Sequence, residues 1–242
     1  EGIRDGHASE ALEQYIGQRY TQHSTGVANG KQGFLEFFIP FLKRTPDRDI
    51  RVIHALEEGP YVFCHVFQSL NGGKAKWVTM DMFETDTNDR IIEHWDAIVP
   101  YTEKTISGQD AIAGTTQLED LDRKDANKAI VKEYTKLVLT EGRFECVDEF
   151  VAPHFIQRSP DLADGRDALV TALESGAAGR CEMLFNAIGE GNFVATYSKT
   201  RQNARDYATF DLYRLADELI VEHWQASEPI APRDQWGNSG KF

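Results

Sequence analysis

Basic residues are in short supply: 26 Lys and Arg stand against 39 Asp and Glu, a net charge of −13 in 242 residues. That deficit argues against a nucleic-acid partner, which requires a basic face to neutralise phosphates, and against an anionic membrane surface. Long apolar runs are missing as well. None approaches the roughly 20 residues of a spanning helix, and no signal peptide is read in the opening residues. Cysteine is sparse, and Cys64, Cys146 and Cys181 are scattered and odd in number. This pattern predicts buried thiols in a reducing cytoplasm, not a disulfide framework. There is no His-Glu-x-x-His or Cys-x-x-Cys spacing, no nucleophile elbow and no phosphate loop, so neither a metal nor a cofactor is expected.

What is present is a repeat. Ile91-Ile92-Glu93-His94-Trp95-Asp96 returns as Ile220-Val221-Glu222-His223-Trp224-Gln225. Aligned outward from this mark, Met80-Asp81-Met82-Phe83 falls on Phe210-Asp211-Leu212-Tyr213, and Gln22-His23-Ser24 on Gln157-Arg158-Ser159. Ala28-Asn29-Gly30 falls on Ala163-Asp164-Gly165. Conserved order across such strings marks an internal duplication. The expected division is a first domain over 1–101, a linker over 102–124 rich in Thr, Ser, Gly and Asp, and a second domain over 125–242.

Within the first domain, residues 9–16 read as a helix capped by Ser9, and a second helix follows Asn29-Gly30, with a kink or break at Pro40. Strand patterns then run over 50–56, 61–67, 76–84 and 90–96, with a hairpin turn at Asn71-Gly72. The second domain opens with an amphipathic helix through Ile130, Tyr134 and Val138, for which the first offers no counterpart; that helix is expected to have been lost upstream of Glu1. Another helix is read through Phe144, Val147, Phe150 and Val151, then strands near 180–188, 192–200, 206–214 and 218–226. Helices followed by an antiparallel sheet make an α+β order.

On these strings each half resembles the nuclear-transport-factor-2-like superfamily, in particular the SnoaL-like polyketide cyclases. The motifs carrying the likeness are Tyr20-Thr21-Gln22-His23, Asn29-Gly30, Asp81-Met82-Phe83 and Ile92-Glu93-His94-Trp95-Asp96, with their partners in the second half. The resemblance implies two tandem cone-shaped domains, each a curved antiparallel sheet wrapped around helices with a pocket. It implies metal-free acid–base chemistry: aldol cyclisation, isomerisation or dehydration of a small hydrophobic carbonyl compound. It also implies pairing through sheet faces, here as an internal pseudo-dimer, with a homodimer of whole chains a further arrangement.

Strand alternation puts Tyr61, Phe63, His65 and Phe67 on one face, and Trp77, Thr79, Asp81 and Phe83 on one face. Aromatics mixed with a few polar groups suit a ligand pocket. Asp96 is the expected base, since a carboxylate losing solvation gains basicity, with His65 and His23 as acid or orienting groups. Asp81 is second choice because Asp211 survives in the other copy. Tyr20, Phe63, Trp77 and Phe83 are the expected substrate contacts. His94 and His223 occur in both copies and read as fold residues. Domain two, with Arg158, Tyr197 and Gln225 at the matching places, is expected to have shed the acid–base set. The alternative is a non-catalytic small-molecule-binding or dimerisation module.

Overall fold

A computed structural model describes residues 2–242. The chain divides into two compact units: unit 1 holds the residues up to Pro100 together with Ala231–Phe242, and unit 2 is Tyr101–Ile230. Unit 1 runs α1 (Ala8–Tyr15), β1 (Ile16–Gln22), α2 (Gly30–Arg44), β2 (Arg48–Glu58), β3 (Tyr61–Leu70), β4 (Ala75–Thr85) and β5 (Ile91–Pro100). Unit 2 runs α3 (Lys124–Tyr134), α4 (Val147–Phe150), β6 (Val151–Gln157), α5 (Arg166–Glu174), β7 (Arg180–Glu190), β8 (Phe193–Gln202), β9 (Arg205–Ala216) and β10 (Leu219–Pro229). No helix among the described residues is long and apolar enough to cross a membrane.

Each unit is an α+β body with one five-stranded sheet, ordered β1-β5-β4-β3-β2 and β6-β10-β9-β8-β7. Four strands of each sheet are antiparallel neighbours, but β1 lies parallel to β5 and β6 parallel to β10. The sheets are therefore mixed where the sequence suggested purely antiparallel ones. The added strands were hidden because Gly17-Gln18-Arg19 and Pro153-His154 interrupt the apolar alternation that marks a strand.

Other local expectations also shift. Ser9 lies inside α1, after His7 at its N-cap, and Ile16 already belongs to β1. Pro40 does not end α2, which continues to Arg44. Asn29 does not cap it with its side chain; Asn29 Oδ1 instead accepts the Gln22 backbone N–H at 2.8 Å. Asp164 Oδ1 accepts from Gln157 N in the same way, at 2.7 Å. The segment after Phe144 is a tight turn and one helical turn, and Val151 begins β6. After α3 the backbone widens, with Glu141 N–H bonded back five residues to Lys136 O. Such widened turns recur at functional sites.

The grouping of residues differs from the sequence-based one at two places. The stretch after Pro100 is no free spacer: Ala113 O accepts Trp224 Nε1–H and Asp164 Oδ2 accepts from Gln109 Nε2. The final segment belongs with unit 1, where Asn238 Nδ2 donates to Ser24 O and Val27 O. Both stretches are short of apolar periodicity, so their side-chain and turn hydrogen bonds left no pattern to read.

The helix-covered face of sheet two carries an apolar core in which Val131, Tyr134 and Val138 meet Val194, Tyr213, Leu215 and Ile220. In unit 1, Leu12, Ile16 and Tyr20 gather with Phe34, Leu35 and Ile91.

Candidate functional site

The repeated Glu-His-Trp string is explained by three side chains that do the same work in both units. On β5, His94 Nδ1 donates to Gln22 Oε1 at 2.9 Å, and Nε2 faces Asp81 Oδ1 at 3.1 Å. On β10, His223 Nδ1 donates to Gln157 Oε1 at 3.0 Å, and Nε2 faces Asp211 Oδ1 at 2.8 Å. Alternation sends the flanking Glu and Trp to the other face. There Glu93 meets His23 Nε2 at 2.8 Å and Trp95 stacks on the His23 ring at 4.9 Å. Glu222 meets Arg158 Nε at 2.6 Å, and the Arg158 guanidinium lies over Trp224. His23 and Arg158 are thus equivalent partners for a Glu, half-buried in unit 1 and buried in unit 2, and for a buried Trp.

The histidine tautomers follow from one backbone group. Ser24 N–H donates to Gln22 Oε1 and Ser159 N–H to Gln157 Oε1, each at 2.9 Å. An N–H needs an acceptor, so the amide oxygen must lie on that side. The same oxygen then requires a proton on His Nδ1. Nε2 and the facing aspartate oxygen are then close enough to pass a single proton between them. This is a proton-sharing couple on the helix side of each sheet.

The two couples differ in what surrounds them. In unit 1 both oxygens of Asp81 are engaged, Oδ1 by His94 and Oδ2 by Thr79 Oγ1 at 2.7 Å. Tyr20 OH accepts from Gln22 Nε2 at 3.2 Å, so the glutamine is also satisfied. Asp96 lies directly across from Asp81. It takes Lys241 Nζ on Oδ1 at 2.8 Å and on its own carbonyl at 2.9 Å. Burial pushes the Asp96 carboxyl up, but the Lys241 ammonium, His94 and the Ser24 hydroxyl outweigh it and hold the group below the usual carboxylate range.

In unit 2, Phe155 stands where unit 1 has Tyr20, and the phenol oxygen is gone. Gln157 is fully buried and its Nε2 has no hydrogen-bond partner. Asp211 accepts from His223 Nε2 and from Gln225 Nε2 at 2.9 Å, both on Oδ1. Gln157, Asp211, His223 and Gln225 line a cavity of about 40 Å³, walled by Tyr134, Val151, Phe155, Leu169 and Tyr213 among others. Burial raises the phenols of Tyr134 and Tyr213 far above their usual range, so they stay protonated.

The residues expected from the sequence separate by face. Asp96, Asp81, Trp77 and Phe83 share the helix-side face, since Asp81 pairs with Asp96 and Phe83 with His94. Phe83 stacks on His94 at 4.6 Å, and Tyr20 reaches the same network. Phe63 and His65 do not join them. Their cross-strand neighbours are Met82 with Trp95 and Met80 with Ala97, on the opposite face. Alternation within one strand cannot say how two strands are phased, and the register put these two apart. His65 Nδ1 meets His54 Nδ1 at 3.1 Å, and burial followed by His54 pushes its pKa down to about 3. His23, on that same face, donates from Nδ1 to Gly240 O at 2.6 Å. Gln22, Gln157 and His223 were passed over as site residues, although the repeated Gln-x-Ser string held the signal. Lys241 offered none.

No family model and no curated protein sequence matches the chain. Among solved structures, half by half, it is similar to nuclear-transport-factor-2-like proteins. One of unknown function from Burkholderia xenovorans is 20% identical, covering 47% of this chain and 95% of its own, with a TM-score of 0.39. A proposed ketosteroid isomerase from Kribbella flavida is 10% identical over 46% of this chain and 82% of its own, TM-score 0.39. IdmH, a proposed polyketide cyclase from Streptomyces antibioticus, is 16% identical over 42% of this chain and 91% of its own, TM-score 0.36. These are likenesses of outline, and the chemistry below rests on this chain's own residues.

Proposed function

We propose that this chain binds a small carbonyl compound inside unit 2 and exchanges a proton with it. The observation that carries the reading is Gln157 Nε2, a fully buried donor with no partner that lines the cavity. Leaving a buried donor unmade costs about 1–3 kcal/mol, so a ligand oxygen placed there recovers that cost. Beside it, Asp211 has its hydrogen bonds on one oxygen only, which leaves Oδ2 as the base toward an α-proton of the ligand. His223 Nε2, in hydrogen-bond reach of the same carboxylate, gives the couple a means of returning it. Water exclusion by the aromatic and aliphatic wall strengthens both steps. The cavity volume favours a compact ketone or enone over a multi-ring substrate, whose sites run to several hundred Å³.

This reading moves the working set from unit 1 to unit 2. In unit 1 the corresponding amide, Asp81 and Asp96 are all engaged by groups of the chain itself.

The test is deuterium wash-in from heavy water at the α-carbon of a panel of small cyclic ketones. Exchange above the buffer rate is expected, falling about 10²–10⁴-fold in Asp211→Asn and unchanged in Asp96→Asn. Binding of a ketone by native mass spectrometry without any wash-in would favour the non-catalytic binding reading. That second reading has its own support, since Asp211 is already saturated on Oδ1. Neither binding nor exchange would sink both.

A further inference from the structure

The two units solve one electrostatic problem in different ways. Across the central strand pair, unit 2 sets Asp211 opposite Gln225, a carboxylate opposite a carboxamide that donates to it. Unit 1 sets Asp81 opposite Asp96. Two carboxylates so placed repel one another, and a buried carboxylate demands a compensating cation. The cation is the Lys241 ammonium, whose residue is 2% exposed. It arrives on an irregular segment that has no place in the repeat.

That segment is held like a docked peptide. Asn238 Nδ2 donates to Ser24 O and Val27 O, Gly237 N donates to Thr25 O at 2.9 Å, and Gly240 O receives His23 Nδ1. Gly240 has a φ of +100° and lies against the Trp236 ring, so no side chain fits there. These contacts deliver a slender methylene stem ending in an ammonium that bonds Asp96 Oδ1 and Asp96 O.

We propose that the Asp96 end of unit 1 is a binding site for a primary alkylammonium group, which the chain fills in cis with Lys241. The recognition chemistry is a charge-assisted hydrogen bond to a buried carboxylate and a second to a strand carbonyl, with the stem itself buried. A rival occupant is a metal ion, because Asp81, His94 and Asp96 each place a ligand atom within 4.8 Å of the others. The inference is independent of the carbonyl site in unit 2.

The experiment uses the full chain carrying Lys241→Ala. Removing one partner of a buried pair should lower Tm by about 10 °C. n-Butylammonium chloride should restore most of that fall in a saturable manner, compared with sodium chloride at equal ionic strength. Tetramethylammonium, which has no N–H, should not restore it, nor should the amine move the wild-type chain or the Asp96→Asn/Lys241→Ala double variant. If Lys241→Ala does not fold, recovery on refolding with butylammonium or with sodium reads the same question. Equal behaviour in the amine and in sodium would overturn the proposal. Rescue by manganese or magnesium in place of the amine would overturn it in favour of a metal site.

Discussion

His65 Nε2 and Gln157 Nε2 are both buried nitrogens without a hydrogen-bond partner, yet they carry different meanings. Gln157 lines a cavity, the one proposed above to take a ligand oxygen. His65 is packed on the opposite face of sheet one against His54, with ring centroids 5.4 Å apart, and burial followed by His54 pushes its pKa down to about 3. The unfolded chain takes up that proton near pH 6.5, so the unfolded state binds more protons between 6.5 and about 3. Stability must therefore fall as pH drops through that window, by on the order of 4 kcal/mol at its foot. Asp96 adds a separate loss lower down, beginning below the unfolded value near 3.9 and completed as pH falls through its depressed folded value. Urea midpoints measured from pH 7 to 4 should slope in the wild type and flatten in His65→Met. An equal slope in both would show that His65 is not the titrating group.

At the scale of elements, α2 shows how packing overrides propensity. Gly33 is its buried residue, and a Cβ there would press into the Ala28 carbonyl. Gly→Ala inside a helix ordinarily gains about 1 kcal/mol, but overpacking costs about 1–3 kcal/mol. The fixed backbone oxygen makes the clash the larger effect. Gly33→Ala should lower the unfolding free energy, whereas Gln32→Ala on the exposed side should leave it within about 0.5 kcal/mol. A stabilised Gly33→Ala chain would mean that the loop before α2 yields. Much of this level was legible in advance. The strands β2–β5 and β7–β10 announced themselves by β-branched and aromatic runs, and the Glu-His-Trp repeat fixed which segments correspond. β1 and β6 did not, because strands that pair in parallel at a sheet edge over a few residues need little apolar alternation.

At the scale of the whole molecule, duplication supplied two copies of one Ser-Gln-His-Asp relay, and a few substitutions then set them apart. Tyr20 against Phe155 decides whether the glutamine amide is satisfied. Asp96 against Gln225 decides whether the site needs a cation. Both differences could be listed from the sequence. Their consequences could not, because they depend on cross-strand phasing and on Lys241, which lies 145 residues from its partner. For that reason the histidine and aspartate kept in both copies looked merely structural, while the residues unique to the first half looked chemical. The reading proposed above makes the reverse assignment.

The most direct test is a ¹H–¹⁵N correlation spectrum of the side-chain amides during titration with a small cyclic ketone. On binding, the Gln157 NH₂ pair is expected to shift while the Gln22 pair stays still, and Gln157→Glu, which keeps the acceptor for Ser159 and His223, is expected to abolish binding. A shift of the Gln22 pair with Gln157 unmoved would place the site in unit 1 and contradict the proposal.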